Sequence, residues 1–157
     1  LPLNKRKSSF NLMVKVMKKR EPVSTIMTKN IHVVQIEDKL TDVQEVIRKF
    51  GVRHVPVVHK KQLMGIISKT DLNRLTFSNI FEGQDDADEA VLEMLTISQV
   101  MSHKPRVVKA DESIRHVAEI LAVEEFHALP VVDPEDELKL IGIVTTTDVI
   151  RYLLEQY

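Results

Sequence analysis

The 157-residue chain has no cysteine, which excludes a disulfide framework, a thiolate metal site and a cysteine nucleophile, and fits a reducing, cytoplasmic setting. No apolar run approaches the about 18 residues of a membrane-spanning helix. The N-terminal stretch has cations but no apolar core ahead of a small-residue cleavage site, so no membrane anchor or secretory signal is expected. Net charge is also nearly absent, at −1 from 22 basic and 23 acidic residues, so attraction of the whole molecule to nucleic acid is not expected. Glycine is scarce, with four residues, and none forms the phosphate cradle Gly-x-x-x-x-Gly-Lys or the dinucleotide pattern Gly-x-Gly-x-x-Gly. With no paired histidine and nucleophile either, an enzyme is not expected.

What is present is a duplication. Gly65-Ile66-Ile67-Ser68-Lys69-Thr70-Asp71 returns as Gly142-Ile143-Val144-Thr145-Thr146-Thr147-Asp148. Upstream, Met101 falls on Met27, Val107-Val108 on Val33-Val34, Ile114 on Leu40, Val117 on Val43, Leu121 on Ile47 and Pro130 on Pro56, at a constant offset of 74 positions. The offset becomes 77 after a longer turn at Asp133–Glu137. One indel, placed in a turn, marks a true repeat. With 43% apolar and 29% charged residues, the chain suits one core-bearing module of two half-domains that pack together, each too small to cover its own apolar face.

Each copy reads strand, helix, strand, strand, helix. In the first, Ile31–Val34 is a strand. Leu40, Val43, Val46, Ile47 and Phe50 make a helical stripe, started by Asp38 or Thr41 and closed by Gly51. Val55–Val58 and Leu63–Ile67 are strands, with Pro56 marking an edge or an interrupted ladder, and a short helix covers about Lys69–Leu75. The expected domains are a basic, flexible leader at 1–22, repeat 1 at 23–76, an acidic, partly helical linker at 77–96 and repeat 2 at 97–157.

The leader carries Lys5, Arg6, Lys7, Lys15, Lys18, Lys19 and Arg20 and no acid before Glu21. It offers either a basic arm for nucleic acid or acidic lipid, or a plain leader ahead of Met13 or Met17. The lack of interleaved aromatics favours the plain leader. In the linker, Glu82, Asp85, Asp86, Asp88, Glu89 and Glu93 offer a divalent-cation site or a solvated face. The EF-hand order is missing, so the solvated face is preferred and no metal is expected. A helix is expected over Ala87–Leu95, with Ala90, Val91, Met94 and Leu95 to one side.

The repeated Ser/Thr-x-x-Asp is first of all a capping box, which needs no ligand. The same geometry suits a nucleotide. A helix start favours phosphate, the hydroxyls of Ser68, Thr70, Thr145 and Thr147 can donate to it, and the Asp71 or Asp148 carboxylate can accept both hydroxyls of a ribose. Gly65 and Gly142 would remove bulk from a strand facing the cleft, and Lys69 adds a cation at the first copy only. His54 reads as a structural group.

Ile26-Met27-Thr28 and Val100-Met101-Ser102 precede the first strands. Val52–Val58 matches Phe126–Val132, and the Gly…Ser/Thr-x-x-Asp pair completes the pattern. With these residues, 23–157 resembles a tandem pair of CBS domains (a Bateman module), and more loosely the stand-alone bacterial CBS proteins of the acetoin-utilisation type.

The resemblance implies an α/β (α+β) fold of two β-α-β-β-α CBS repeats with pseudo-two-fold symmetry. It implies a non-catalytic, cytoplasmic energy or metabolite sensor that takes AMP, ADP, ATP or S-adenosylmethionine as effector in clefts between the repeats. The module would be a homodimer with no required cofactor, passing its output to an unidentified effector protein. Asp71 and Asp148 would hold ribose, and Ser68, Thr70, Thr145 and Thr147 the phosphates or ribose edge. Arg53 and His127 would meet phosphate, and Thr28 and Ser102 would border adenine. Arg53 and Lys69 make the first site the more cationic, so it is expected to prefer more phosphate. The rival readings are a ligand-free dimerisation scaffold and nucleic-acid binding through the leader.

Overall fold

The computed structural model describes residues 20–76, 83 and 85–157. The expectations for most of the basic leader, and for Glu82 in the linker, lie outside these residues. The chain divides into two compact units, one of Asn30–Arg106 with Leu138–Leu140, the other of the segment up to Lys29 with Val107–Glu137 and Ile141–Tyr157.

The first unit contains β1 (Val34–Gln35), α1 (Leu40–Phe50), β2 (His54–His59), β3 (Gln62–Ser68), α2 (Lys69–Asn73), α3 (Asp85–Met94), α4 (Ile97–Val100) and β4 (Ser102–His103). Leu40, Val43 and Ile47 bury the expected stripe of α1 in a core with Val34, Val55, Val57 and Ile67. Phe50 departs from that stripe. It is 45% exposed and stacks on the His32 ring at 3.6 Å. Gly51 closes the helix at φ 65°, its N–H donating to the Ile47 carbonyl at 3.0 Å, in a backbone region that an L side chain resists.

The start of α1 differs from expectation. Lys39 occupies the cap position and its N–H donates to the Asp42 carboxylate at 2.8 Å. Asp38 instead folds back to accept from the Gln35 N–H at 2.8 Å, closing the turn ahead of the helix. Pro56 sits inside β2 without breaking its ladder to β3, where it pairs with Ile66 and the register shifts only at Val57/Val58. The parallel pairing to β1 begins one residue later, at Val57, so no N–H is required of the proline on that side.

On α3 the buried positions are Asp88 and Leu92, one turn apart. Val91 and Leu95 are half-buried, while Met94 is 82% exposed and Ala90 exposed. The expected face was therefore rotated. α3 packs on α1, and burial of Asp88 splits the acidic run between two faces.

The second unit contains β5 (Val108–Lys109), α5 (Ile114–Val123), β6 (Ala128–Asp133), β7 (Asp136–Thr145) and α6 (Thr146–Leu154). The central residues of β7 belong to the first unit, where Lys139 pairs with Gln62. The core of the second unit gathers Val117, Ile120 and Leu121 of α5 with Leu129, Val131, Val144 and Val149. β5 runs parallel to β6, as β1 does to β2.

The segments leading into the two repeats are exchanged. Pro22 bridges Ser113, the Val23 N–H donates to the Glu112 carbonyl at 2.7 Å, and Val23 is fully buried in the second core. Its counterpart Ile97 is fully buried in the first core, and Thr96 bridges Lys39. The repeat boundaries in sequence therefore do not coincide with the compact units. Each anchor contributes on the order of 2 kcal/mol by removing a branched side chain from water.

Candidate functional site

The exchange assembles a matched constellation inside each unit. In the first, β4 pairs antiparallel with β3, setting Ser102 opposite Ile66 and His103 opposite Gly65. Two residues past Ile66 the strand ends at Ser68, which caps α2. The Asp71 N–H donates to Ser68 Oγ at 3.1 Å, and the Ser68 N–H donates to Asp71 Oδ2 at 2.8 Å. The Lys69 N–H donates to the Arg53 carbonyl at 2.7 Å. Arg53, Ser68, Lys69, Thr70, Asp71 and Ser102 thus share one unit, with Arg53, Lys69, Thr70 and Ser102 exposed.

In the second unit the Thr28 N–H donates to the Ile143 carbonyl at 2.8 Å and its carbonyl accepts from the Ile143 N–H at 3.0 Å. Two residues on, Thr145 caps α6. The Asp148 N–H donates to Thr145 Oγ1 at 3.2 Å, and the Thr145 N–H to Asp148 Oδ2 at 2.8 Å. The Thr146 N–H donates to the His127 carbonyl at 3.0 Å. Thr28, His127, Thr145, Thr147 and Asp148 are thereby gathered, so Thr28 stands with the second aspartate and Ser102 with the first.

Both sites are complete capping boxes, yet they are not equal. The Thr145 hydroxyl donates to Asp148 Oδ2 at 2.8 Å, whereas Ser68 Oγ only accepts, leaving its hydrogen available to a ligand. Asp71 Oδ1 lies 4.0 Å from the Arg74 guanidinium, while Asp148 Oδ1 has no hydrogen bond among the described residues. Hydroxyls and a carboxylate oxygen at each site can take a polyhydroxyl or anionic group. Among the described residues no group of three or more histidines and carboxylates converges as a metal site, and no helix is long and apolar enough to cross a membrane.

The glycines answer to the chain more than to a cleft. A Cβ on Gly65 would meet Met101 Sδ at 2.5 Å and the Ser102 carbonyl oxygen at 2.7 Å, and one on Gly142 would overlap the Met27 thioether. They admit the crossing segments.

One contact had no sequence signal. The Tyr152 hydroxyl donates to Glu21 Oε2 at 2.7 Å across 131 positions. Burial, then this bond to the Glu21 carboxylate, pushes the Tyr152 phenol up to about 12, from about 10 in an unfolded chain. A raised phenol stabilises the fold fully below about pH 10, and that contribution is lost as pH rises through about 12. The urea midpoint is expected to fall over that window by the equivalent of about 1–2 kcal/mol, allowing for solvent screening. Tyr152→Phe is expected to flatten this limb. An unchanged alkaline limb in that variant would disprove the assignment.

Paired helix-start sites, each bordered by a crossing segment, define a two-repeat module with matched candidate ligand sites. The CBS domain model matches residues 23–77 and 97–155, and the chain belongs to the CBS domain family. MJ1426, an uncharacterized protein of Methanocaldococcus jannaschii, is 31% identical, with 84% of this chain and 90% of that protein covered. The chain spans about half the length of two other curated relatives from that organism, 47% of MJ1225 and 44% of MJ0188. Among solved structures, CBSX2 of Arabidopsis thaliana in complex with AMP is similar at TM-score 0.71 and 27% identity, over 87% of this chain and 98% of that one. A putative acetoin utilization protein (AcuB) from Vibrio cholerae shares the fold at TM-score 0.69 and 24% identity, over 86% and 91% of the two chains.

Proposed function

We propose that the chain is a non-catalytic regulatory module that binds adenosine nucleotides or S-adenosylmethionine at two sites. Asp71 and Asp148 receive the ribose, Thr28 and Ser102 border the adenine, and Arg53, Ser68, Lys69, Thr70, His127, Thr145 and Thr147 serve the phosphates or ribose edge. The observation that carries this reading is the twice-built cap with its crossing strand, in a chain similar along 87% of its length to a CBS pair bound to AMP. Arg53, Lys69 and the free Ser68 hydroxyl favour the longer phosphate chain at the first site.

The module pairs with a second copy and signals through a separate effector protein. Support for pairing is the stripe Ile150, Leu153, Leu154 and Tyr157 on and just past α6, where Leu154 is 67% exposed and Ile150 51%. Apolar residues at that spacing on a surface helix mark an interface.

A ligand-free dimerisation scaffold is the competing reading, favoured by the fact that each aspartate already has a full capping role. Calorimetric titration and thermal unfolding with AMP, ADP, ATP and S-adenosylmethionine separate the two. At least one ligand is expected to bind and, at 100-fold excess over its Kd, to stabilise the protein by about 2.7 kcal/mol. Silence with all four would leave the scaffold.

A further inference from the structure

Residues 21–28 belong to the second unit and are fixed there at both ends. At one end Thr28 exchanges two backbone hydrogen bonds with Ile143, two residues before the α6 cap. At the other, Glu21 accepts from the Tyr152 hydroxyl at 2.7 Å and its carbonyl accepts from the Ile114 N–H at 2.8 Å. Between them Val23 is fully buried, and the Val23 and Ser24 N–H groups donate to Glu112 and Ala110. Asp148 and Tyr152 are one turn apart on α6, so the helix that carries the candidate ribose acceptor also carries the clasp on Glu21.

The first unit does this differently. By the repeat offsets, Leu95 stands for Glu21 and Leu75 for Tyr152, and both leucines pack against the first core. An apolar contact of that kind is non-directional. A phenol–carboxylate bond is directional, exchangeable with water and made or lost as a unit. At these equivalent positions the two leucines of the first unit can form no such bond.

We propose that residues 21–28 act as an arm whose seating reports occupancy of the Thr28/Asp148 site, with Glu21–Tyr152 as its far clasp. A ligand touching both Thr28 and Asp148 adds a fastening at the near end that exists only while the arm is seated. Seating and binding are therefore linked, and each favours the other by the same factor. This inference rests on the nucleotide reading of the second site.

Amide hydrogen exchange of the full chain, with AMP as probe and calorimetry alongside, tests it. Tyr152→Phe and Glu21→Gln are each expected to speed exchange at Val23, Ser24 and Thr28 about tenfold, as loss of one charge-assisted bond implies, with residues 95–102 unchanged. The double change Glu21→Leu with Tyr152→Leu installs the first unit's pair and is expected to restore slow exchange. AMP at 100-fold excess over its Kd is expected to slow the Thr28 amide by up to about 100-fold in wild type and not in Asp148→Ala. AMP binding that Asp148→Ala abolishes, without slowing of Val23, Ser24 or Thr28 in wild type, would overturn the arm and leave the binding reading intact. If AMP does not bind, whichever of ADP, ATP or S-adenosylmethionine does is used in its place, and silence with all four would overturn both. Equal acceleration of residues 95–102 in the clasp variants would also defeat it, showing general loosening.

Discussion

Gly65→Ala is expected to lower stability by about 2–3 kcal/mol and Gly142→Ala by about 1 kcal/mol, although the two glycines are repeat equivalents. The difference follows from what each new methyl would meet. At Gly65 it would lie 2.7 Å from the backbone carbonyl of Ser102, as well as 2.5 Å from Met101 Sδ. At Gly142 the backbone neighbour, the Thr28 carbonyl, is 3.2 Å away, and the severe overlap is with the Met27 thioether. A methionine side chain has three torsions with which to retreat, whereas β4 is fixed to β3 by its ladder at Gly65 and Ile66. Urea unfolding of the two variants measures the difference. Equal costs would show that β4 moves as readily as a side chain. Adding Met27→Ala should remove most of the interaction at Gly142, while Met101→Ala should leave much of it at Gly65, read as coupling in double-mutant cycles.

These glycines also show where the sequence stops being legible. The repeat, its elements and both capping boxes rest on local text: apolar spacing, a glycine after a helix, a hydroxyl three residues before an aspartate. Those features appear in the structure because neighbours in the chain make them, as the Ser68–Asp71 and Thr145–Asp148 bonds do. Which segment crosses Gly65 or Gly142 is fixed by pairings such as Thr28 with Ile143 and Pro22 with Ser113, which no local window contains. A glycine read as an opening to a ligand is, in the structure, an opening to the chain itself. The misplaced cap of α1 has a smaller cause, because two acidic residues, Asp38 and Asp42, flank the true cap and each satisfies a different N–H. The face of α3 turns on Asp88, whose burial rotates the helix away from the stripe that hydrophobicity alone selects.

Asp148→Asn is expected to weaken AMP binding at the second site by about 10–100-fold while changing stability by no more than about 0.5 kcal/mol. The capping role needs one acceptor atom. Asp148 Oδ2 takes the Thr145 N–H and hydroxyl, each at 2.8 Å, and an asparagine carbonyl placed there can take both. The ribose role needs the other oxygen and the charge. In asparagine that second atom is an amide nitrogen, a donor facing hydroxyls that must themselves donate, and the anionic acceptor is gone. Asp148→Ala removes both roles, so it should lose binding and also about 1 kcal/mol of stability from the uncapped helix. Calorimetry with AMP beside urea unfolding reads the two quantities separately. If Asp148→Asn binds AMP as wild type does, the carboxylate serves only the helix and the scaffold reading gains. If binding falls while the unfolding curve stays in place, the carboxylate oxygen not committed to the cap is the one that holds the ligand.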